Sequence, residues 1–140
     1  YPHAIEAITD PVLQRRLHHV IWENERARLA PDLLEKGDWV RFGDWMRKSH
    51  ESLRDDYAVT GAELDTLAET AWTIAGCIGS RMTGAGFGGS TVSLVAMEAV
   101  DEFQRRITET YRRRFGYAPT FLITGLGPGV HEIPQGEWNV

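Results

Sequence analysis

A chain of 140 residues has room for one domain of ordinary size, and its 42% hydrophobic content with five tryptophans is enough material for a core. The formal net charge is −5 and the longest basic run is Arg112-Arg113-Arg114, so the clustered Lys and Arg of a nucleic-acid surface are missing. No apolar run reaches the roughly 18 residues of a membrane span, no leader shows at Tyr1-Pro2-His3, and a lone Cys77 excludes an internal disulfide, so a cytoplasmic setting is expected.

In chain order, Asp10-Pro11 reads as a helix start: a capping carboxylate, then proline at the first helical position. Val12, Leu13, Leu17, Val20 and Ile21 recur at helical spacing and predict the inner face of that helix. It is expected to run to about Ala30, where Pro31 kinks or ends it. Asp38 is placed to cap a second helix through Val40, Phe42, Trp45 and Met46 to about His50. Ser52 to Tyr57 reads as that helix's end and a polar loop. Thr60 with Glu63 has the spacing of a capping box for a third helix. Its inner face is Leu64, Leu67, Ala68, Ala71, Trp72 and Ala75.

The period then changes. Ser80–Thr83 and Thr91–Ala96 read as strands around a glycine-rich bend. Val100, Phe103, Ile107 and Tyr111 line one face of a helix that Gly116 should stop. Thr120–Thr124 reads as a further strand and Val130–Ile133 as a short one, with residues 134–140 a mobile tail. Helices followed by strand–strand–helix–strand imply an α+β domain: a ferredoxin-like split β-α-β antiparallel sheet with helices packed on it. The whole of 1–140 is expected to be this single domain.

Four glycines occupy the six positions from Gly84 to Gly89. Glycine is concentrated where a backbone bends sharply or is closely approached. Open N–H groups on such a bend form a concave site for anions, phosphate above all. A plain strand-to-strand hairpin explains the same glycines, and both readings stay open on the residues alone. Gly84-Ala85-Gly86-Phe87-Gly88-Gly89 also matches the dinucleotide pattern, but that pattern needs a following helix. Here Thr91–Val95 reads as a strand, which argues against it.

Among the other candidates, the five histidines form no H-x-x-x-H or H-E-x-x-H pair, so no protein metal site is expected. His19 reads as a hydrogen-bonded packing residue and Cys77 as a small buried hydrophobe. A Ser-His-Asp constellation stays open by composition, although no G-x-S-x-G elbow is present. Arg54-Asp55-Asp56-Tyr57 fits either a polar cleft or a helix-end ion pair, and the residues favour the latter. Arg81 suits a phosphate neighbour if it faces the bend, and otherwise faces solvent.

Taken together, several segments resemble the galactokinases of the GHMP small-molecule kinase superfamily. Ser80-Arg81-Met82-Thr83-Gly84-Ala85-Gly86-Phe87-Gly88-Gly89 is similar to that family's third signature. Ser49-His50-Glu51-Ser52-Leu53-Arg54-Asp55-Asp56-Tyr57 resembles its S-H-x-S-L-R-D-D-Y segment, and Arg16, His19, Val20, Glu23 and Arg26 its R-x-x-H-V-x-x-E-x-x-R helix. Ser90, Ala58, His18 and Pro31 depart from the usual residues. The segments R-x-N-L-I-G-E-H-x-D-Y and P-x-G-x-G-L-S-S-S, with the family's catalytic aspartate, are missing.

The resemblance therefore implies the C-terminal domain of a longer protein, in keeping with an opening Tyr1 instead of Met. It implies ATP- and magnesium-dependent phosphorylation of galactose at the anomeric hydroxyl. The partners it implies are galactose, ATP and the protein's own N-terminal domain. Thr83, Gly84, Ala85, Gly86, Phe87, Gly88 and Gly89 would form the loop beside the ATP phosphates. Arg54, Asp55, Asp56, Tyr57 and Arg81 would border the cleft, and no catalytic or metal-binding residue is expected here. The chain alone should be inactive. A non-catalytic sugar sensor and a free-standing interaction module are the alternatives.

Overall fold

A computed structural model of the chain describes Ile5, residues 7–125 and Gly127. Among the described residues, four long α-helices pack around a two-stranded sheet. They are α1 (Pro11–Glu35), α2 (Trp39–Ser52), α3 (Ala62–Trp72) and α4 (Val100–Phe115), with β1 (Cys77–Thr83) and β2 (Ser90–Val95) between α3 and α4. A single π-helical turn, Leu53–Tyr57, follows α2 directly.

The sheet is one antiparallel hairpin. Its register runs from Cys77 opposite Val95 to Thr83 opposite Ser90, with an irregularity between Cys77 and Gly79. An α+β architecture is thus present, with helices packed on an antiparallel sheet. Thr120–Thr124 does not extend it: these residues are irregular, and Leu122 is 91% exposed. A strand exists only through a partner's ladder, and no described strand bonds to this one. Phe121 alone turns inward, against the core. The strand expected at Val130–Ile133 and the tail 134–140 lie outside the described residues.

Two apolar clusters hold the sheet to the helices around it. Ala71 and Ile74 meet Phe103 and Ile107, joined by Leu67, Cys77, Val95 and Phe121. Leu53, Leu64 and Met82 form the other, with Val59 beside them. Phe103, Ile107 and Tyr111 of α4 are buried at helical spacing, as their periodicity predicts, and Gly116 ends the helix in the left-handed region. Burial pushes the Cys77 thiol up to about 11, which fits an inert packing role.

The first helix departs from its periodicity. The Asp10 carboxylate caps it as expected, accepting from the Val12 and Leu13 amides at 2.7 and 3.2 Å. Val12, Leu13 and Val20, read as its inner face, are exposed, and the buried residues are His19 and Leu33. Pro31 does not stop the helix, which continues to Glu35. The capping box of the third helix is absent as well. Gly61 is its N-cap, so the helix starts one residue late and Glu63 falls at the second position instead of the third.

The outer edge of β1 is covered by α2 and α3. The Trp72 indole N–H donates to the Ser80 carbonyl at 2.9 Å, and the Met82 amide donates to His50 Nδ1 at 3.0 Å. Arg81 Nε donates to the Met82 carbonyl at 3.1 Å. A Cβ on Gly43 of α2 would overlap the Ile78 carbonyl oxygen, so only glycine allows this approach. Side chains thus take the places a third strand would occupy on that edge.

Candidate functional site

The glycine-rich bend is the six-residue connection of the β1–β2 hairpin, closed by the Thr83–Ser90 pair. Its backbone lies largely in the left-handed region: φ is +82° at Gly84, +84° at Gly86, +120° at Gly88 and +102° at Gly89. Phe87 shares that region at +58°, unusual for a residue with a side chain, and its ring is 78% exposed.

The two flanks of the bend differ. On one, the Phe87 amide donates to the Val59 carbonyl at 2.7 Å, and a Cβ on Gly86 would overlap that same oxygen. On the other, a Cβ at Gly84, Gly88 or Gly89 would meet nothing within 4 Å. Among the described residues, none of the other loop amides from Gly84 to Gly89 has a backbone or side-chain acceptor. The bend is therefore pinned at Phe87 and open at Gly84, Gly88 and Gly89, and this open rim carries amides without a protein acceptor. Such a rim suits an anion, because unpaired amides in a turn concentrate partial positive charge. The hairpin reading and the anion reading describe the same piece of chain.

The Arg54–Tyr57 segment supports this pinned side. It forms the π-helical turn, closed by Ala58 in the left-handed region at φ +56° and by the Val59 amide donating to Leu53 O at 3.0 Å. That turn delivers the Val59 carbonyl to the hairpin. Such turns recur at functional sites. The charges of the segment face other partners. Arg54 donates to Asp55 at 2.8 Å and to Glu69 at 2.7 Å. That pairing holds the Asp55 carboxyl below its ordinary value and raises the Arg54 guanidinium.

Asp56 is occupied as well. Its carboxylate accepts from Ser52 Oγ at 2.8 Å and lies 2.9 Å from His18 Nδ1, and its backbone carbonyl accepts from Arg16. Tyr57 stacks on His19 with ring centroids 4.6 Å apart and carries the Arg16 guanidinium over its face. The ion-pair reading of this segment therefore describes its geometry. Among the described residues, no group of three or more His, Cys, Asp or Glu gathers as a metal site.

Arg81 does not turn toward the bend. Its guanidinium donates to Glu23 of α1 at 3.1 Å. Glu23 also accepts from Ser49 at 2.6 Å and Arg26 at 2.9 Å. Burial opposes ionisation of Glu23, but these hydrogen bonds and the Arg81 charge outweigh it and lower its pKa. Ser, His and Asp do meet, in the order His19–Ser52–Asp56. The serine proton points to the carboxylate, so its hydroxyl lacks the histidine base that a nucleophile requires.

A residue that sequence reasoning passed over as chemistry is His50. It is completely buried, with its ring edge against Trp72. Nδ1 accepts the Met82 amide, and Nε2 faces Asp65 Oδ1 at 3.1 Å. This pairing requires the neutral tautomer with the proton on Nε2. Desolvation by burial lowers its pKa, against the pull of Asp65. The available signal was a polar residue one helical turn from the apolar Met46, which periodicity cannot distinguish from a solvent-facing one.

A helix-flanked hairpin with a glycine bend of this kind belongs to a known class. Residues 29–113 match the family model of the GHMP kinases' C-terminal region, and the chain belongs to that family. The galactokinase of Halalkalibacterium halodurans is 49% identical over 129 residues, 92% of this chain and 33% of that protein. That of Fusobacterium nucleatum is 48% identical over 126 residues, 90% of this chain and 32% of that protein. In the solved structures, Lactococcus lactis galactokinase complexed with galactose matches with a TM-score of 0.79 and 43% identity, over 84% of this chain and 31% of that one. The chain thus spans about a third of the length of the relatives it matches. No helix among the described residues is long and apolar enough to cross a membrane.

Proposed function

We propose that this chain is the C-terminal part of a cytoplasmic galactokinase, and that its glycine hairpin lies against the phosphates of ATP. The single observation that carries the reading is the open rim: amides at Gly84, Gly88 and Gly89 without a protein acceptor, on a bend pinned at Phe87 to Val59. ATP supplies the phosphoryl group for the anomeric hydroxyl of galactose. Phosphoryl transfer depends on positioning and on stabilising charge, and preset amides provide both without reorganising.

This chain's own contribution is confined to binding and orientation. Thr83 to Gly89 hold the anion, and the turn at Arg54–Tyr57 keeps their backbone in place. Arg54, Asp55, Asp56 and Arg81 act through structure, since each is already paired. Asp55 and Asp56 are therefore poorly suited to magnesium, and no residue of this chain is assigned to it. The general base and sugar pocket belong to an N-terminal domain of the same protein. Exposed Val12, Leu13 and Val20 of α1 agree with a chain that packs against more protein.

The test alters one loop glycine in the complete enzyme. Gly88→Ala places a methyl on the open rim and strains a backbone at φ +120°, and should raise the KM for ATP roughly tenfold or more, with the KM for galactose little changed. An unchanged ATP KM would refute the phosphate assignment. The 140-residue chain alone, given ATP, magnesium and galactose, should show no turnover.

A further inference from the structure

We infer that His50 is the positioning residue for the glycine hairpin: it holds β1 at Met82, one residue before Thr83, and Asp65 orients it for that task. The inference rests on the proposed phosphate-binding role of the hairpin and adds a residue outside it.

Three observations carry it. First, the Met82 amide lies on the outer edge of β1, where β2 supplies no acceptor, and Met82 is only 2% exposed. Its one acceptor is His50 Nδ1 at 3.0 Å. A buried amide without a partner is costly, so this bond fixes the strand's end. Second, Nδ1 accepts only if it is unprotonated. The Asp65 carboxylate accepts a hydrogen bond from Nε2–H at 3.1 Å and selects that tautomer, the way a carboxylate commonly orients an imidazole. Third, the Met82 side chain packs with Leu53 and Leu64, next to Val59. The Met82 methyl also lies beneath Gly86. The bond at Met82 and the bond from Phe87 to Val59 therefore anchor the bend at its root and its middle.

A base role for His50 is excluded by the same geometry. Both ring nitrogens are occupied and no part of the side chain reaches solvent. It acts through the backbone of β1.

The test uses two near-isosteric replacements in the complete enzyme. In His50→Asn the amide oxygen takes the place of Nδ1 and keeps the Met82 acceptor. In His50→Gln the polar end takes the place of Nε2, keeping Asp65 and losing Met82. Hydrogen exchange by mass spectrometry should show faster exchange across Met82–Gly89 in His50→Gln and near-native exchange in His50→Asn. The ATP KM should rise about ten- to a hundredfold in His50→Gln, with kcat and galactose KM far less affected, and return toward native in His50→Asn. A purely structural role predicts equal losses of melting temperature and equal exchange across Met82–Gly89 in both variants. That result, or native exchange in His50→Gln, overturns the inference.

If exchange accelerates but neither His50→Gln nor Gly88→Ala changes the ATP KM, the positioning role stands and the phosphate reading fails. Should both variants fail to fold, the native protein decides: fast exchange of the Met82 amide refutes the bond, and slow exchange supports it.

Discussion

Helices α1 and α4 dock on the molecule by opposite means. α4 buries Phe103, Ile107 and Tyr111, a stripe any periodicity analysis finds. α1 leaves Val12, Leu13 and Val20 in solvent and docks through Arg16, His19 and Glu23, which reach Asp56, Ser52, Ser49 and Arg81. One interface is apolar and non-directional. The other is a set of hydrogen bonds and ion pairs that fixes where the Arg54–Tyr57 turn sits, and through it the Val59 carbonyl. In this chain the Arg16–Arg26 segment of α1 and the Ser49–Tyr57 segment each supply half of one polar contact.

Substitutions can test the contrast from either side. Ile107→Ala on the apolar interface should cost most, about 2–5 kcal/mol by chemical denaturation, because it leaves a cavity among Ala71, Ile74 and Phe103. On the polar interface, Glu23→Ala strips Arg81, Arg26 and Ser49 of an acceptor and should cost about 1–3 kcal/mol. It should also loosen the Arg54–Tyr57 turn, read as faster hydrogen exchange there, which Ile107→Ala should leave unchanged. Equal exchange in the two variants would break the comparison.

The polar side should also be the acid-sensitive one. Burial lowers the pKa of both His19 and His50 from the ordinary value of 6.5. The unfolded chain then takes up protons first, so stability is intact above that value. It should fall as the pH drops through 6.5 toward the folded pKa values. Urea midpoints between pH 8 and pH 5 measure it, and replacing His19 and His50 should flatten the slope. The smallest effect belongs to the exposed apolar residues of α1. In the 140-residue chain by itself, Leu13→Ala should change stability by less than about 0.5 kcal/mol, since its side chain is already 55% exposed there. A larger loss would show that α1 docks through that face after all.

The hairpin and its glycines were legible from residue type alone. Four glycines in the six positions before Ser90 make positive φ accessible without steric cost, and the structure has that bend. Arg81 was ambiguous for a simple reason. Strand alternation says which face a side chain takes, but its partner Glu23 lies 58 residues away. His50 was invisible as a site, because its two partners come from α3 and β1 and no local pattern joins them.

By itself the sequence determined what local chemistry controls: the Asp10 and Asp38 caps, the apolar face of α4, the stop at Gly116 and the bend at Gly84–Gly89. These depend on neighbours within a few residues, whose geometry the chain cannot escape. Only the tertiary structure decided which face α1 buries, that Thr120–Thr124 stays outside the ladder, and that Val59, His50 and Glu23 converge around one hairpin. Those outcomes turn on directional bonds between groups distant in sequence, and a hydrogen bond exists only once packing has brought both partners to the same place.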